Sequence, residues 1–335
     1  MWVGRERQKQ ERVRVRGIPG LQLQETRGTR HFGGVSQDKR GEMNVRTAII
    51  FGFMCAGACA GIAQAPAASS PLHREYREGE KLGYHMKGVN ESWHYEIDAE
   101  GVVKKDPSGR FLEEYQWTHM TSEGQPVTLS TAADYRQRLT LDPGVNPSAP
   151  DLRSVDAKMI GPLTDMMTFY VDLWLPSKLG VLKKAGDHFY FRNPMGPSSW
   201  ADGKNVLVGE DLIDFDLTLK SVDTAAGTAV LEVKHVAPPD GKLPLKADWM
   251  KAPVGAGPNN WVEIKKDADG KYEAGVGLET FTVEITVSLA DGHMVSATMD
   301  NPVITVERVC EDEALTKCGE SKRHEILRKI EVGAR

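Results

Sequence analysis

Apolar and polar residues alternate along most of the chain after residue 80. Over residues 281–289, Phe, Val, Ile, Val and Leu alternate with Thr, Glu, Thr and Ser. A period of two sustained over nine residues is typical of a strand with one buried face. The same alternation predicts further strands over 81–87, 92–97, 111–120, 135–141, 212–220, 229–233 and 293–299. The pattern therefore predicts a mainly β protein with antiparallel strands.

Short turn sequences separate these strands. Asp291-Gly292 predicts a type I′ hairpin turn, and Asp269-Gly270 predicts another hairpin turn. Asp106-Pro107-Ser108-Gly109 is typical of a type I turn. A turn is also expected near Gly88-Val89-Asn90, between the first two strands. Strands that follow one another through short turns pair as antiparallel neighbours.

One segment has a helical period instead. Apolar residues recur at helical spacing over 162–175 and form one stripe of Leu163, Met166, Met167, Tyr170, Leu173 and Trp174. Pro162 suits a first helical turn, and Pro176 is expected to end the helix. Phe169 and Val171 lie off the stripe, so the apolar surface is wider than one sheet contact requires.

The helix divides the predicted strands into two halves. We expect an N-terminal β half over 68–150, a helical bridge over 151–185 and a C-terminal β half over 186–335. Three prolines and a glycine in 142–150 indicate a linker before the bridge. The fold prediction is thus antiparallel sheets in two halves, or one large curved sheet, bridged by an amphipathic helix at about 162–175.

The segment 43–67 has the layout of a secretory signal peptide. Met43–Arg46 is a short basic start, and sixteen uncharged residues follow it over 48–63. Two overlapping small-x-small sequences come next, Ala63-Gln64-Ala65 and Ala65-Pro66-Ala67. We expect cleavage after one of them and export to the periplasm or the extracellular space. A retained membrane anchor is the alternative, although the stretch is short and weakly apolar for a span.

Charge is uneven along the chain. Residues 1–42 carry ten Lys or Arg and five acidic residues without apolar periodicity. Because a signal peptide normally begins a chain, we interpret 1–42 as a non-native or disordered extension rather than a nucleic-acid-binding arm. The first 65 residues carry a net charge of +6 and the whole chain −5, so the remainder carries −11. This acidic remainder argues against nucleic acid and anionic membrane surfaces as partners.

Two cysteines remain after the predicted cleavage. Cys55 and Cys59 lie within the signal peptide, which leaves Cys310 and Cys318. An exported protein with one cysteine pair predicts a disulfide. Because a bridge needs Cα atoms less than about 7 Å apart, the segment 311–317 must turn back, with at most one helical turn.

Two stretches resemble a known class of proteins. Residues 179–189 contain a Gly-Asp-x-aromatic entry into a strand, and residues 279–306 form a long hairpin with Asp-Gly at its turn. These stretches resemble exported bacterial β-sheet proteins of unknown function, and the resemblance covers about the last 150 residues. It implies long antiparallel strands around a central helix. Such proteins have no established catalytic residues, so the resemblance implies no site.

Sequence motifs for catalysis, cofactors and metals are absent. The chain has no GxSxG, P-loop, complete GxGxxG or HExxH sequence. We therefore assign no catalytic residue, no cofactor and no metal ligand, although a dispersed Ser–His–Asp site would leave no short motif.

Aromatic residues carry the remaining functional hypothesis. Tryptophans predicted in or beside polar loops suit contact with apolar ligands or sugars, although they also cap the ends of a sheet core. The hypothetical ligand-binding residues are Met167, Tyr170, Trp174, Trp200, Trp249 and Trp261. The sequence favours an exported, non-catalytic binding protein for an apolar or amphipathic small molecule or lipid, without a stable membrane span once the signal is removed. The alternatives are an envelope hydrolase with a dispersed active site and a structural cell-envelope protein.

Overall fold

A computed structural model describes residues 70–90, 93–129, 135–145, 147, 157–192, 198–200, 206–240, 243, 245–267 and 269–335. The predicted signal peptide and the extension before it lie outside these residues, as do parts of the linker at 142–150 and of the loops around 195 and 242. The backbone of 157, 160, 198–200 and 206–211 is described without side chains. The described residues belong to one compact unit.

The mainly β prediction is confirmed. One helix, α1, spans Ala157–Leu179. The strands are β1 Lys81–Asn90, β2 Trp93–Lys105, β3 Phe111–Ser122, β4 Gln125–Pro126, β5 Gln137–Leu139, β6 His188–Phe191, β7 Ser198–Trp200, β8 Val206–Asp211, β9 Asp214–Asp223, β10 Thr228–Val236, β11 Trp261–Lys266, β12 Tyr272–Glu279, β13 Phe281–Ser288, β14 Met294–Cys310 and β15 Lys322–Ala334. They form one antiparallel sheet across both predicted halves, because β1 pairs with β15.

The sheet divides into two arms along the long strand β14. One edge of β14 pairs with β15. The other edge pairs first with β13 and then with β12, which adjoin each other through Thr280. From β13 the sheet continues to β10, β9 and β6, and from β12 to β11, β8 and β7. Two buried asparagines satisfy backbone groups at the division: Asn301 Nδ2 donates to the Thr280 carbonyl (2.8 Å), and Asn260 bonds both backbone groups of Glu279.

The helix α1 is buried on all sides. Each residue of 162–170 is buried. Tyr170 contacts Glu113 on β3, whereas Asp172, two residues further and so on the opposite side of the helix, contacts His235 on β10. Because β3 and β10 belong to the same sheet, the sheet curves around the helix. The polar side of the helix is thus buried as well as its apolar stripe.

Both ends of α1 differ from the sequence prediction. The helix begins five residues before Pro162 and continues three residues past Pro176, so both prolines lie inside it. Pro176 did not end the helix, because a proline removes only its own N–H and one helical hydrogen bond. Gly180 provides the end instead: it adopts a left-handed φ of 62°, and its N–H bonds the Pro176 carbonyl at 2.9 Å.

One turn prediction is wrong. Asp291-Gly292 is not a type I′ turn, because only Gly292 has a positive φ (73°) and the loop closes from Ser288 to His293. A Cβ on Gly292 would lie 2.0 Å from the His73 carbonyl oxygen, so glycine lets the N-terminal segment pass against this loop. The turn expected near 88–90 follows directly after them: β1 extends to Asn90, which pairs with Trp93 of β2, and the connecting residues 91 and 92 lie outside the described residues. The Asp269-Gly270 turn is confirmed, with Gly270 at a φ of 83°.

The two arms pack two separate cores. The main core surrounds α1 and takes residues from β1–β3, β9, β10, β13 and the adjoining parts of β14 and β15. A smaller core lies under β11 and β12 and includes Met250 and Leu315. It also contains the predicted disulfide, since Cys310 and Cys318 are bonded with Cα atoms 4.0 Å apart. The segment 311–317 turns back as predicted, through a Glu311 N–H to Lys317 carbonyl bond.

Replacing both Cys310 and Cys318 with alanine should lower the free energy of unfolding by about 2–3 kcal/mol, because closing a short loop restricts the unfolded chain. Urea unfolding of the oxidised wild type and of the double variant measures the difference. The reduced wild type is the control and should match the double variant. A loss below about 0.5 kcal/mol would contradict the prediction.

Candidate functional site

A cavity of about 260 Å³ lies beside α1, between the helix, β3 and β5. Its lining combines apolar and polar residues, and both β5 and α1 supply residues of each kind. The apolar wall comprises Phe111, Leu112, Leu139, Val145, Pro147 and Met167. The polar lining comprises Asp106, Arg138, Thr140 and Tyr170. Two of the residues predicted to bind a ligand, Met167 and Tyr170, thus meet in this cavity.

A short turn closes the cavity on the side of the predicted linker. The side-chain carboxylate of Asp142 accepts the Gly144 N–H at 2.8 Å, and the backbone carbonyl of Asp142 accepts the Val145 N–H at 3.0 Å. Trp174 of α1 donates its indole N–H to the same carbonyl at 3.1 Å. The predicted residue Trp174 therefore fixes the turn that carries Val145 into the cavity wall.

A buried carboxylate lies behind Tyr170. Glu113 of β3 accepts hydrogen bonds from the hydroxyls of Tyr170 and Tyr115, the latter at 2.6 Å. Arg74 donates to Glu113 through Nε at 3.2 Å and pairs with Glu80 at 3.0 Å. Burial, and then the Glu113 charge, raise the pKa of both tyrosines well above the ordinary value. Both hydroxyls therefore remain protonated donors, and that of Tyr170 is directed at Glu113.

The lining residue Arg138 belongs to a row of charged residues on β2, β3 and β5. Glu114 alternates with Glu113 along β3 and so points to the other face. Its carboxylate pairs with Lys104 at 2.7 Å and with Arg138 Nε at 3.1 Å. These two cations lower the pKa of Glu114, with the Lys104 hydrogen bond as the largest cause. Two cations thus share one carboxylate beside the cavity.

The other predicted ligand-binding residues lie away from this cavity. Trp249 packs against the smaller core, donates its indole N–H to the Leu315 carbonyl (3.1 Å) and lies under Arg308. Trp261 is buried at the start of β11, with its ring close to Gly275. Trp200 lies in β7, and its side chain is outside the described residues. The structure thus brings Met167, Tyr170 and Trp174 together but keeps Trp249 and Trp261 apart from them.

Two further acidic side chains of α1 are buried in polar pairs. Asp172 accepts a hydrogen bond from His235 Nε2 at 2.7 Å. The ring of His235 lies between the rings of Phe215 and Phe281. Burial raises the pKa of Asp172, and the adjacent His235 opposes that rise. About two turns from the helix start, Asp165 contacts the Tyr95 hydroxyl at 2.6 Å and the Arg328 guanidinium. These pairs fix α1 to β2, β10 and β15.

Neither a metal site nor a membrane-spanning helix emerges over the part of the chain that the structure describes. Within it, three or more His, Cys, Asp or Glu side chains nowhere come together as metal ligands would. Nor is any helix among these residues both long and apolar enough to cross a membrane.

Arg74, Glu113 and Arg138 are residues of the site that sequence reasoning missed. Glu113 shares the inward face of β3 with Tyr115 and Trp117, so the alternation itself placed a carboxylate in the core. An inward acidic residue in a strand requires a buried partner, but no local pattern identified Arg74 as that partner.

Comparison of the chain with protein-family models, with curated proteins and with solved structures gives no match.

Proposed function

We propose that this is an exported protein that binds a small amphipathic molecule without catalysis, in the cavity beside α1. The observation that carries the proposal is the lining of the cavity: apolar residues of α1, β3 and β5 form much of it, and the charged residues Asp106 and Arg138 also line it. Such a mixture of apolar surface and few polar groups is typical of ligand sites. The disulfide and the signal-like segment support export.

The size of the cavity limits the ligand. Pockets for drug-sized ligands have about 300–1,000 Å³, and this cavity has about 260 Å³. We therefore propose a ligand with one short hydrocarbon chain or one ring, rather than a lipid with two long chains.

The buried Asp172–His235 pair does not favour the hydrolase alternative. A base for nucleophilic catalysis needs a hydroxyl or thiol within hydrogen-bond reach of its second nitrogen. His235 Nδ1 is buried and bonds no described residue. We therefore propose binding as the function of α1 and its cavity, and a structural role for this pair.

Hexanoate should shift the methyl resonance of Met167 saturably in protein labelled with ¹³C at the methionine methyl groups. Burying its five apolar carbons contributes roughly 4 kcal/mol, and association costs part of that free energy, so the titration should extend well above about 1 mM. Met167→Leu assigns the resonance. Val145→Trp should weaken binding at least about tenfold, because the larger side chain fills the cavity from the turn.

Val309→Trp is the matched control, since Val309 is 46% exposed on β14, beside the smaller core. It should bind hexanoate as the wild type does. If neither hexanoate nor 1-hexanol shifts the Met167 resonance in the folded wild type, the binding proposal is wrong and the structural role replaces it.

A further inference from the structure

We propose that the ligand is an anion, with its acidic group held by Arg138 at the rim and its hydrocarbon part directed inward against Met167. The inference rests on the proposed binding function and adds the chemical class and the orientation of the ligand. It follows from the hydrogen bonds and ion pairs that each polar lining residue already makes.

Three of the four polar lining residues already have their hydrogen-bonding groups occupied. The Tyr170 hydroxyl donates to Glu113. The Thr140 hydroxyl donates to the Phe111 carbonyl at 3.0 Å and accepts the Asp142 N–H at 3.1 Å. A polar ligand group beside Tyr170 and Thr140 would therefore meet hydroxyls that already donate within the protein, and it would lose its hydration without full compensation.

Asp106 is occupied in the same way at the rim. Its Oδ1 accepts the N–H groups of Ser108 and Arg110 at 2.8 and 3.0 Å, and its Oδ2 lies 3.4 Å from Arg110 Nε. Hydrogen bonds from Ser108 and Arg110 lower its pKa, that of the Ser108 hydroxyl most strongly. Asp106 thus stays ionised and is balanced by Arg110.

Arg138 differs from the other three residues. Its only hydrogen bond to a described residue uses Nε, which donates to Glu114, and its side chain is 68% exposed. This contact orients the guanidinium, and among the described residues Nη1 and Nη2 have no hydrogen-bond partner. This fork of two N–H donors matches the two oxygens of a carboxylate.

The charges around the cavity balance without a ligand. Lys104 and Arg138 share the single carboxylate of Glu114, Asp106 pairs with Arg110, and the Asp142 carboxylate lies in the turn that closes the cavity. The preference for an anion therefore rests on the donors of Arg138 and not on an excess of positive charge.

The test compares probes that share one hydrocarbon chain and differ in the end group. Hexanoate, 1-hexanol and hexylamine are titrated separately, and the Met167 methyl resonance reports on occupancy of the cavity. In the wild type, hexanoate should bind about tenfold more tightly than 1-hexanol at low salt, and hexylamine should bind most weakly. The preference for hexanoate should shrink as salt is raised, because the rim is exposed.

Two arginine variants test whether Arg138 causes the preference for hexanoate over 1-hexanol. Arg138→Gln should remove the advantage of hexanoate over 1-hexanol and leave the affinity for 1-hexanol unchanged. Arg136→Gln removes a charge two residues away, outside the lining, and should keep that advantage. Equal binding of hexanoate and 1-hexanol to the wild type, or an advantage that survives in Arg138→Gln, overturns the anion inference while the binding function stands. Failure of all three probes overturns the binding function itself.

Discussion

Replacing His235 with phenylalanine should lower the free energy of unfolding by about 3–5 kcal/mol at pH 7. In the wild type, His235 Nε2 bonds the Asp172 carboxylate at 2.7 Å, and both side chains are buried. Phenylalanine keeps a ring between Phe215 and Phe281 but removes the donor. The carboxylate then remains in an apolar site without a partner. Urea unfolding followed by circular dichroism measures the change.

The control for this prediction is the double variant Asp172→Leu with His235→Phe. It replaces both polar groups with apolar groups of similar volume, so it should recover most of the stability that the single variant loses. A single variant that loses less than about 1 kcal/mol, or a double variant that is no more stable than the single one, would contradict the prediction.

The pH dependence of the difference between these two variants reports on Asp172. Burial raises the pKa of Asp172 in the folded protein above its ordinary value of 3.8. A folded-state pKa above the unfolded one means that the folded protein takes up the proton first as the pH falls. The penalty of the buried charge is therefore fully present above the folded-state pKa and is lost as the pH falls through it. The two variants should converge in acid.

The strands were predictable from the sequence because each depends on a local pattern. The alternation over 281–289 corresponds to β13, and that over 212–220 corresponds to β9, because one face of each strand is buried whatever its partner is. Pairing is not local. β1 and β15 lie at opposite ends of the described chain, and no pattern within either strand specifies the other. The single continuous sheet, which depends on this pairing, therefore could not be predicted from the sequence.

The surroundings of the helix were predictable only in part. The apolar stripe over 162–175 predicted an amphipathic helix, but it did not show that polar residues off the stripe, such as Thr168 and Asp172, are buried as well. Their partners are close by in the fold: the Thr164 carbonyl accepts the Thr168 hydroxyl at 3.0 Å, and His235 on β10 bonds Asp172. The cavity could not be predicted either, because its lining residues come from α1, β3, β5 and the turn at 142–145, which are separate in the sequence.

Replacing Arg74 with methionine should also destabilise the fold, by about 3–5 kcal/mol at pH 7. The Arg74 side chain is fully buried and contacts three carboxylates: Glu113 at 3.2 Å, Glu80 at 3.0 Å and Asp291 at 3.7 Å. Methionine keeps much of the apolar stem but removes the only cation that contacts Glu113 among the described residues. The variant would then hold a buried carboxylate with two more acidic groups close by.

Glu113→Gln in the Arg74→Met background tests this explanation. The glutamine carbonyl still accepts the hydroxyl of Tyr115 or Tyr170, but the buried negative charge is gone, so the double variant should be more stable than Arg74→Met alone. Arg136→Met is the control, since Arg136 is exposed, and it should change the free energy of unfolding by no more than about 0.5 kcal/mol. Because Glu113 orients Tyr170, the Met167 methyl resonance should shift in Arg74→Met and return towards its wild-type position in the double variant. If removing the Glu113 charge destabilises Arg74→Met further, the carboxylate is not the source of the loss.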